Sequence, residues 1–355
     1  MTHARAERHS WRLVEPGRPL ECHEGAGRTP EAGEALVEVA GCGVCHTDLG
    51  FYAGNVKTRA GLPLVLGHEI SGRVIEAGEG DGAWIGKDVL VSPVIPCGSC
   101  EMCSSGRGNI CARQLMPGND IDGGFATHVT VPTRGLLAIE KLPEGCDLAE
   151  LAVVADAVTT PLQAVRRAEV SAGDFVVVVG AGGVGTYAVQ IAAASGATVI
   201  AVDIDDARLD PLLAHGATAV INARNLGARE IREGVREHAK SLNTPASGWK
   251  IFECSGTPAG QETAYGLLGP AATLAVVGFT REKVSIRLSN LMAFDATAFG
   301  SWGCPPERYP EAVDLVTSGT VNLVPFTHKV PMSDAATVLA EAHERSDPRR
   351  TVLVP

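Results

Sequence analysis

The sequence has no window of eighteen consecutive apolar residues, no run of basic side chains, no internal repeat and no low-complexity segment. The first absence argues against a membrane-spanning helix, which needs about twenty apolar residues to cross the hydrocarbon layer. The second, with a formal net charge of −11, argues against a sequence-independent binder of nucleic acid or of an anionic membrane. Such binding is driven by clustered Lys and Arg that release counterions. The opening "MTHARAERHSWRLVEPG" carries early positive charge but no apolar h-region, so no secretion signal is expected and the chain is read as cytoplasmic. In that compartment ten cysteines point away from a disulfide framework and toward metal or catalytic use for some of them.

What is present suits a soluble α/β protein. The chain has 355 residues, 45% of them hydrophobic and 20% charged, with 41 glycines; that length fits two domains better than one core. Residues 34–40, "EALVEVA", alternate like a half-buried strand, and short apolar runs bounded by Gly and Pro recur to about residue 150. "VVADAVTTPLQAVRRAEV" reads as a helical segment. After it come a strand "DFVVVV" (174–179), a glycine turn, the helical "TYAVQIAAASG" and a strand "TVIAVD" (198–203). Strand, helix, strand is a βαβ unit, which implies a parallel sheet with right-handed crossovers.

The glycine turn is informative. "VVVVGAGGVGTYAVQ" sets Gly180, Gly182 and Gly185 in a G-x-G-x-x-G, with Gly183 and Val184 completing the loop, between a buried strand and a helix. Gly180 permits the tight turn, Gly182 lets backbone N–H groups approach a pyrophosphate, and Gly185 lets helix and strand pack closely. Asp203 closes the next strand; its carboxylate would accept from the adenosine ribose hydroxyls and repel a 2′-phosphate, which favours NAD over NADP. Arg208 either covers the ribose edge or solvates a helix face.

Two groups of metal-binding side chains stand out. "CGSCEMCSSGRGNIC" holds Cys97, Cys100, Cys103 and Cys111, and four thiolates this close make a closed tetrahedral zinc site with a structural role. In "GCGVCHTDLG" and "LGHEISG", Cys45, His68 and Glu69 offer sulfur, imidazole and carboxylate. A catalytic zinc takes three protein ligands and keeps one position open. Cys42 is either the missing ligand or a buried core cysteine.

"GVCHTD", "GHE", the four-cysteine lobe and "GAGGVG" follow in an order and at spacings by which the chain resembles the zinc-dependent medium-chain alcohol dehydrogenases over essentially its whole length. The resemblance implies a GroES-like, mostly β catalytic domain over 1–157 with its zinc lobe at 97–111, a Rossmann doubly wound parallel-sheet domain over 158–298, and a return to the first domain over 299–355. It implies NAD and two zinc ions per chain. It sets the third catalytic ligand at Asp156, where many members carry Cys, beside Cys45 and His68, with Glu69 as an alternate ligand or neighbouring carboxylate. An oxygen donor in place of a thiolate leaves the metal a stronger Lewis acid. By the same resemblance Thr47 hydrogen-bonds the substrate oxygen and begins a proton relay, and Asp48 orients His68. His46 and Arg350 lie near the pyrophosphate, Thr160 and Val184 lie near the nicotinamide, and Val277 also contacts the cofactor. Gly50 stands where several members end the relay with His, so the distal base is missing.

Within the family, "PVIPCGSC", "MPGNDIDGGFATH", "VVADAVTTP" and "SWGCPPERYP" are most similar to members acting on a ring alcohol carried as a CoA thioester. That implies an acyl-CoA substrate whose phosphates Lys57 and Arg59 would meet, unless the two are simply solvated. Another secondary alcohol or polyol, an enoyl-thioester reduction, or a non-catalytic zinc- and NAD-binding scaffold are the rival readings. A homo-oligomer, dimer or tetramer, is expected through a sheet edge supplied by "ATLAVVGF" and "KVSIRLS".

Overall fold

The structure, a computed structural model, describes residues 8–25, 27–341 and 347–355. Residues 1–7, on which the reading of the N-terminal segment partly rests, lie outside it, as do Ala26 and 342–346 within the expected first and third segments. The described chain forms two compact units. The first holds the chain up to Asp156 with Gly303–Gly319 and Thr327–Pro355; the second holds Ala157–Trp302 and Thr320–Phe326.

Before the second unit come β1 (His9–Leu13), β2 (Glu21–Glu24), β3 (Glu34–Gly43), β4 (Leu64–Val65), β5 (Glu69–Ala77), β6 (Asp88–Val91), β7 (His128–Pro132) and β8 (Leu136–Ala138). The second unit carries β9 (Phe175–Val179), β10 (Thr198–Asp203), β11 (Ala219–Asn222), β12 (Lys250–Glu253), β13 (Thr273–Val276) and β14 (Thr297–Gly300); β15 (Thr327–Pro331) and β16 (Arg350–Val354) return to the first. Four helices carry candidate site residues: α1 (His46–Tyr52), α2 (Glu101–Ser104), α3 (Thr159–Arg167) and α4 (Gly185–Ala194).

In the first unit a seven-stranded sheet runs β15-β16-β3-β5-β6-β8, with β7 paired to β3, and a smaller sheet runs β2-β1-β4. β3 pairs antiparallel with β5, β7 and β16. Its side chains are mostly buried rather than alternating, because segments pack on both of its faces. A Cβ at Gly41 would lie 2.6 Å from the Ala149 carbonyl oxygen, so glycine there lets the turn Glu150–Ala155 lie against the sheet.

All six strands of the second unit are parallel, in the order β11-β10-β9-β12-β13-β14. β9 is buried throughout, as a central strand covered on both faces must be. Each of its fully buried valines stabilises the fold by roughly 1.5–3 kcal/mol relative to exposure. The strand order reverses between β9 and β12, the switch point where such sheets bind dinucleotides.

Three readings of the sequence change here. The helical segment around "VVADAVTT" is broken: a 3-10 turn covers Glu150–Ala155, Asp156 ends it at φ −130° and ψ −55°, and α3 starts after Val158. "KVSIRLS" forms no strand, and "ATLAVVGF" is not the sheet edge, because β14 covers β13. Thr320–Phe326 belongs to the second unit. Buried Gln190 holds it by donating to the Asn322 carbonyl at 3.3 Å and accepting the Asn322 N–H at 2.8 Å, while Phe326 packs against Tyr187 and His215.

Candidate metal and cofactor sites

Three strand ends meet in the first unit. Gly43, the last residue of β3, pairs with Glu69 at the start of β5 and with Val352 of β16. The chain therefore leaves β3 through Cys45 into α1, reaches β5 through His68, and begins β16 at Arg350. A Cβ at Gly43 would run into the Glu69 carboxylate. That glycine was not singled out in the sequence, and its only signal is that it precedes the ligand loop.

Cys45, His68, Glu69 and Asp156 each bring one donor atom within 4.8 Å of the others. Cys45 Sγ and His68 Nε2 lie 3.7 and 3.8 Å from Asp156 Oδ2. Cys45, His68 and Glu69 are buried, and the Asp156 side chain is 18% exposed. The break after Ala155 turns Asp156 to this cluster. Asp156 does not cap α3, whose N-cap is Val158.

Asp48 organises the cluster from behind. Its Oδ2 accepts the Cys45 N–H at 2.9 Å and its Oδ1 the Gly67 N–H at 3.1 Å. The same Oδ1 lies 3.3 Å from His68 Nδ1, an ion-pair distance without a well-aligned hydrogen bond. Nδ1 thus faces Asp48 while Nε2 faces the donors, as a metal-binding imidazole is oriented. Thr47 Oγ1 lies 3.7 Å from Cys45 Sγ, and His46 is exposed on the first turn of α1.

The electrostatics of this cluster favour a cation. Burial disfavours a charged His68, yet Asp48, Asp156 and Cys45 hold its proton on well above the usual imidazole range. Burial pushes Glu69 up to about 7 against the pull of Arg350, and Asp156 adds to the rise. A proton is retained among donors that a divalent metal would satisfy. Zinc fits this sulfur, imidazole and carboxylate set.

Glu69 has another partner as well. Arg350 Nε donates to its Oε2 at 2.8 Å and Nη2 donates to its Oε1, with both side chains buried. Arg350, expected near a pyrophosphate, is also the fork that holds Glu69. Cys42 is not in the donor group; it is fully buried in the apolar core, and burial first, then Asp48, drives its thiol well up. The Cys-x-x-Cys is thus one ligand candidate and one core residue.

The four-cysteine lobe gathers its sulfurs as expected. Cys100 Sγ lies 3.4 Å from Cys103 Sγ and 3.6 Å from Cys111 Sγ, and Cys97 Sγ lies 3.9 Å from Cys103 Sγ. Four sulfurs at the ordinary Zn–S distance would be about 3.8 Å apart. Backbone N–H donors around Ser99 lower Cys97 to about 5, while burial and Cys100 raise Cys103 to about 11. Arg113 Nη2 adds positive charge 3.3 Å from Cys97 Sγ. Cys97 and Cys100 are thus predisposed to thiolate, the form that binds zinc.

In the second unit Gly180 adopts φ +93°, and a Cβ there would strike the backbone of Ser255. A Cβ at Gly185 would strike the Gly180 carbonyl. Gly182 differs: the nearest atom to its would-be Cβ is Arg208 Nη1, at 3.7 Å. Its lack of a side chain answers no need of the chain's own packing and leaves room for a ligand. Asp203 accepts N–H bonds from Ala181 at 2.6 Å, Ile204 at 2.8 Å and Asp205 at 3.1 Å, which fixes its carboxylate beside the loop. Arg208 lies 3.8 Å from Asp205. Gly183 and Val184 lead into α4, Thr160 is buried in α3, and the Val277 N–H donates to the Glu253 carbonyl at 2.9 Å. In the first unit Lys57 is exposed, whereas Arg59 pairs with Asp120 at 3.1 Å, which offsets the charge expected to meet a phosphate.

Residues 31–141 match the alcohol dehydrogenase GroES-like domain and residues 183–318 the zinc-binding dehydrogenase domain. The L-threonine 3-dehydrogenase of Pyrococcus furiosus is 33% identical over 310 residues, 84% of this chain and 85% of that one. The chain belongs to the zinc-type alcohol dehydrogenases. This dehydrogenase is also similar to the 2-dehydro-3-deoxy-L-galactonate 5-dehydrogenase of Pseudoalteromonas atlantica, 29% identical over 322 residues, 89% of this chain and 90% of that one. Among solved structures, galactitol-1-phosphate dehydrogenase from Escherichia coli is similar with a TM-score of 0.86 at 26% identity, covering 98% of this chain and all of that one. The dehydrogenase is an NAD-dependent oxidoreductase of CH–OH groups that uses zinc, and it combines a GroES-like unit with a Rossmann unit.

Proposed function

We propose that the dehydrogenase oxidises a secondary ring alcohol, with Cys45, His68 and Asp156 holding the catalytic zinc. The observation that carries this is the convergence of those three donors in front of Asp48, with Glu69 engaged by Arg350. Zinc, when bound, supplies Lewis acidity that eases loss of the hydroxyl proton, and NAD accepts the hydride. Thr47 Oγ1, close to Cys45, would hydrogen-bond the substrate oxygen and begin the proton relay, accepting its proton while the threonine hydroxyl releases its own. Gly50 has no side chain to pass the released proton on, so water would carry it away. Asp48 keeps His68 turned through its Nδ1 face. Lys57, His46, Thr160, Val184, Val277, Asp203 and Arg208 serve substrate or cofactor in the roles that the family resemblance implies.

Our substrate assignment is 6-hydroxycyclohex-1-ene-1-carbonyl-CoA, oxidised to the 6-oxo thioester in anaerobic degradation of aromatic compounds. It is supported by the likeness of "PVIPCGSC", "MPGNDIDGGFATH", "VVADAVTTP" and "SWGCPPERYP" to the dehydrogenase of that step. A polyol or sugar acid is the second reading, favoured by relatives named for galactonate and galactitol phosphate. NADH formation by the zinc-replete protein separates them. Turnover of the thioester with the free acid, sugar acids and simple alcohols nearly inert supports the assignment; preference for a sugar acid replaces it with the second reading.

We also infer a homo-oligomer in the cytoplasm. Exposed Phe279, Ile286, Leu288, Met292 and Trp302 flank the outer strand β14 of the second unit, a surface suited to a second copy. None of the ten cysteines is in a disulfide, as expected of a reducing compartment. Among the described residues no helix is long and apolar enough to cross a membrane.

A further inference from the structure

Glu253 closes β12 with its side chain fully buried in the second unit. Its Oε1 accepts three bonds from the adjoining turn: from Ser255 N–H at 2.8 Å, Ser255 Oγ at 2.6 Å and Gly256 N–H at 3.0 Å. Its Oε2 is buried without a hydrogen-bond partner. Burying a carboxylate oxygen in this way costs free energy, and the parallel sheet itself does not require an acid at this point. The strands on either side, β9 and β13, end on Val179 and Val276.

What surrounds the carboxylate explains its place. The Glu253 carbonyl accepts the N–H groups of both Val277 and Gly278 at 2.9 Å. A Cβ at Gly278 would strike the Gly256 nitrogen and come within 2.7 Å of Glu253 Oε2. Gly256 has φ +63°, and a Cβ at Gly180 would strike Ser255. The cofactor loop, the Ser255–Gly256 turn and the Val277–Gly278 turn therefore touch backbone to backbone, with Glu253 bonded to two of the three. All three lie at the carboxyl ends of β9, β12 and β13, beside the point where the strand order reverses and where such a sheet receives its dinucleotide.

We propose that the Glu253 side chain is a positioning residue for NAD: its carboxylate holds the Ser255–Gly256 turn, against which Gly180 and Gly278 pack, at the height at which the cofactor loop and the bound cofactor need it. A floor set before binding spares the cofactor the cost of ordering it. The carboxylate is suited to the task because it accepts and never donates, so several N–H and O–H donors can converge on one oxygen. The inference rests on NAD binding by the second unit.

The test measures NAD affinity by calorimetry, kcat at saturating NAD and the thermal midpoint without NAD, all on zinc-replete protein. Glu253→Ala should raise the NAD Kd about tenfold, the equivalent of one charge-assisted hydrogen bond, with kcat at saturation within about twofold. Ser255→Ala should raise Kd about threefold with the midpoint unchanged, and Glu253→Gln, which keeps an acceptor at Oε1, should recover most of the affinity. In the Glu253→Ala background Ser255→Ala should add less than it does alone, since its bond to Oε1 is gone and only the Thr257 contacts of the Ser255 hydroxyl remain. An unchanged Kd in the variants, with only the midpoint lowered, overturns the proposal. If Glu253→Ala does not fold, Ser255→Ala and Glu253→Gln decide. If the wild type itself fails to bind NAD, the cofactor reading falls first, before any variant is compared.

Discussion

Asp156 is the residue on which the catalytic centre turns. A thiolate is the commoner third ligand in the resemblance, and the break after Ala155 is what brings this carboxylate to Cys45 and His68. Asp156→Ala should reduce the zinc content from two ions per chain to one. NAD reduction should fall by more than the roughly 10–100-fold that losing a ligand's supporting partner costs. Asp156→Cys should keep both ions, and metal analysis beside the rate reads the difference. Glu69 and Arg350 make a second prediction at this scale. Both are buried, and removing one partner of such a pair leaves a charge without its counterpart, at a cost of about 3–5 kcal/mol. Glu69→Ala should lower the denaturation midpoint far more than replacing both residues by Met, because the double change leaves no uncompensated charge. Equal losses in the single and double variants would show that the pair contributes nothing as a pair. Cys45, His68 and Glu69 were legible as donors because such residues at these spacings have few other uses, whereas Asp156 entered only through the family resemblance. The Arg350–Glu69 fork was not legible, since 281 positions separate its partners.

At the scale of elements, the glycine loop and the strand ends explain how short motifs become sites. β3, β5 and β16 deliver Cys45, His68 and Arg350 to one place because Gly43 pairs with both Glu69 and Val352. β9 and α4 were visible as a buried valine run followed by glycines. The three glycines, identical in the motif, do different things in the fold, and substitution separates them. Gly182→Ala should leave the thermal midpoint within about 1 °C and raise the KM for NAD, since the nearest atom to the new methyl is a mobile Arg208 end at 3.7 Å. Gly180→Ala and Gly185→Ala should lower the midpoint, because each Cβ would meet fixed backbone. A reversed pattern, with Gly182→Ala the destabilising one, would contradict this division. The edge strand was misread because "ATLAVVGF" and "KVSIRLS" both alternate acceptably, and alternation alone does not say which strand is outermost.

At the scale of the whole molecule, the second unit leaves several apolar side chains in water, with Met292 78% exposed and Phe279 70%. If a second copy covers them, Leu288→Asp with Met292→Asp should reduce the sedimenting mass to that of one chain, and an unchanged mass would remove the oligomer proposal. The return of Thr320–Phe326 to the second unit belongs to the same scale. No boundary signal marks it, and it depends on the Gln190–Asn322 pairing and on Phe326 meeting Tyr187. The sequence by itself determined the two kinds of unit, the four-cysteine lobe, the cofactor loop and the residue types available for the metal. Each of these is written in a short stretch whose spacing follows from local geometry and ligand chemistry. Only the tertiary structure decided that Asp156 faces Cys45 rather than capping α3, that Arg350 holds Glu69, that Cys42 is core, and that the Glu253 carboxylate is bonded to the turn that packs on Gly180. Those outcomes depend on side chains brought together from distant strand ends, where burial and the satisfaction of charge select among partners that spacing leaves equivalent.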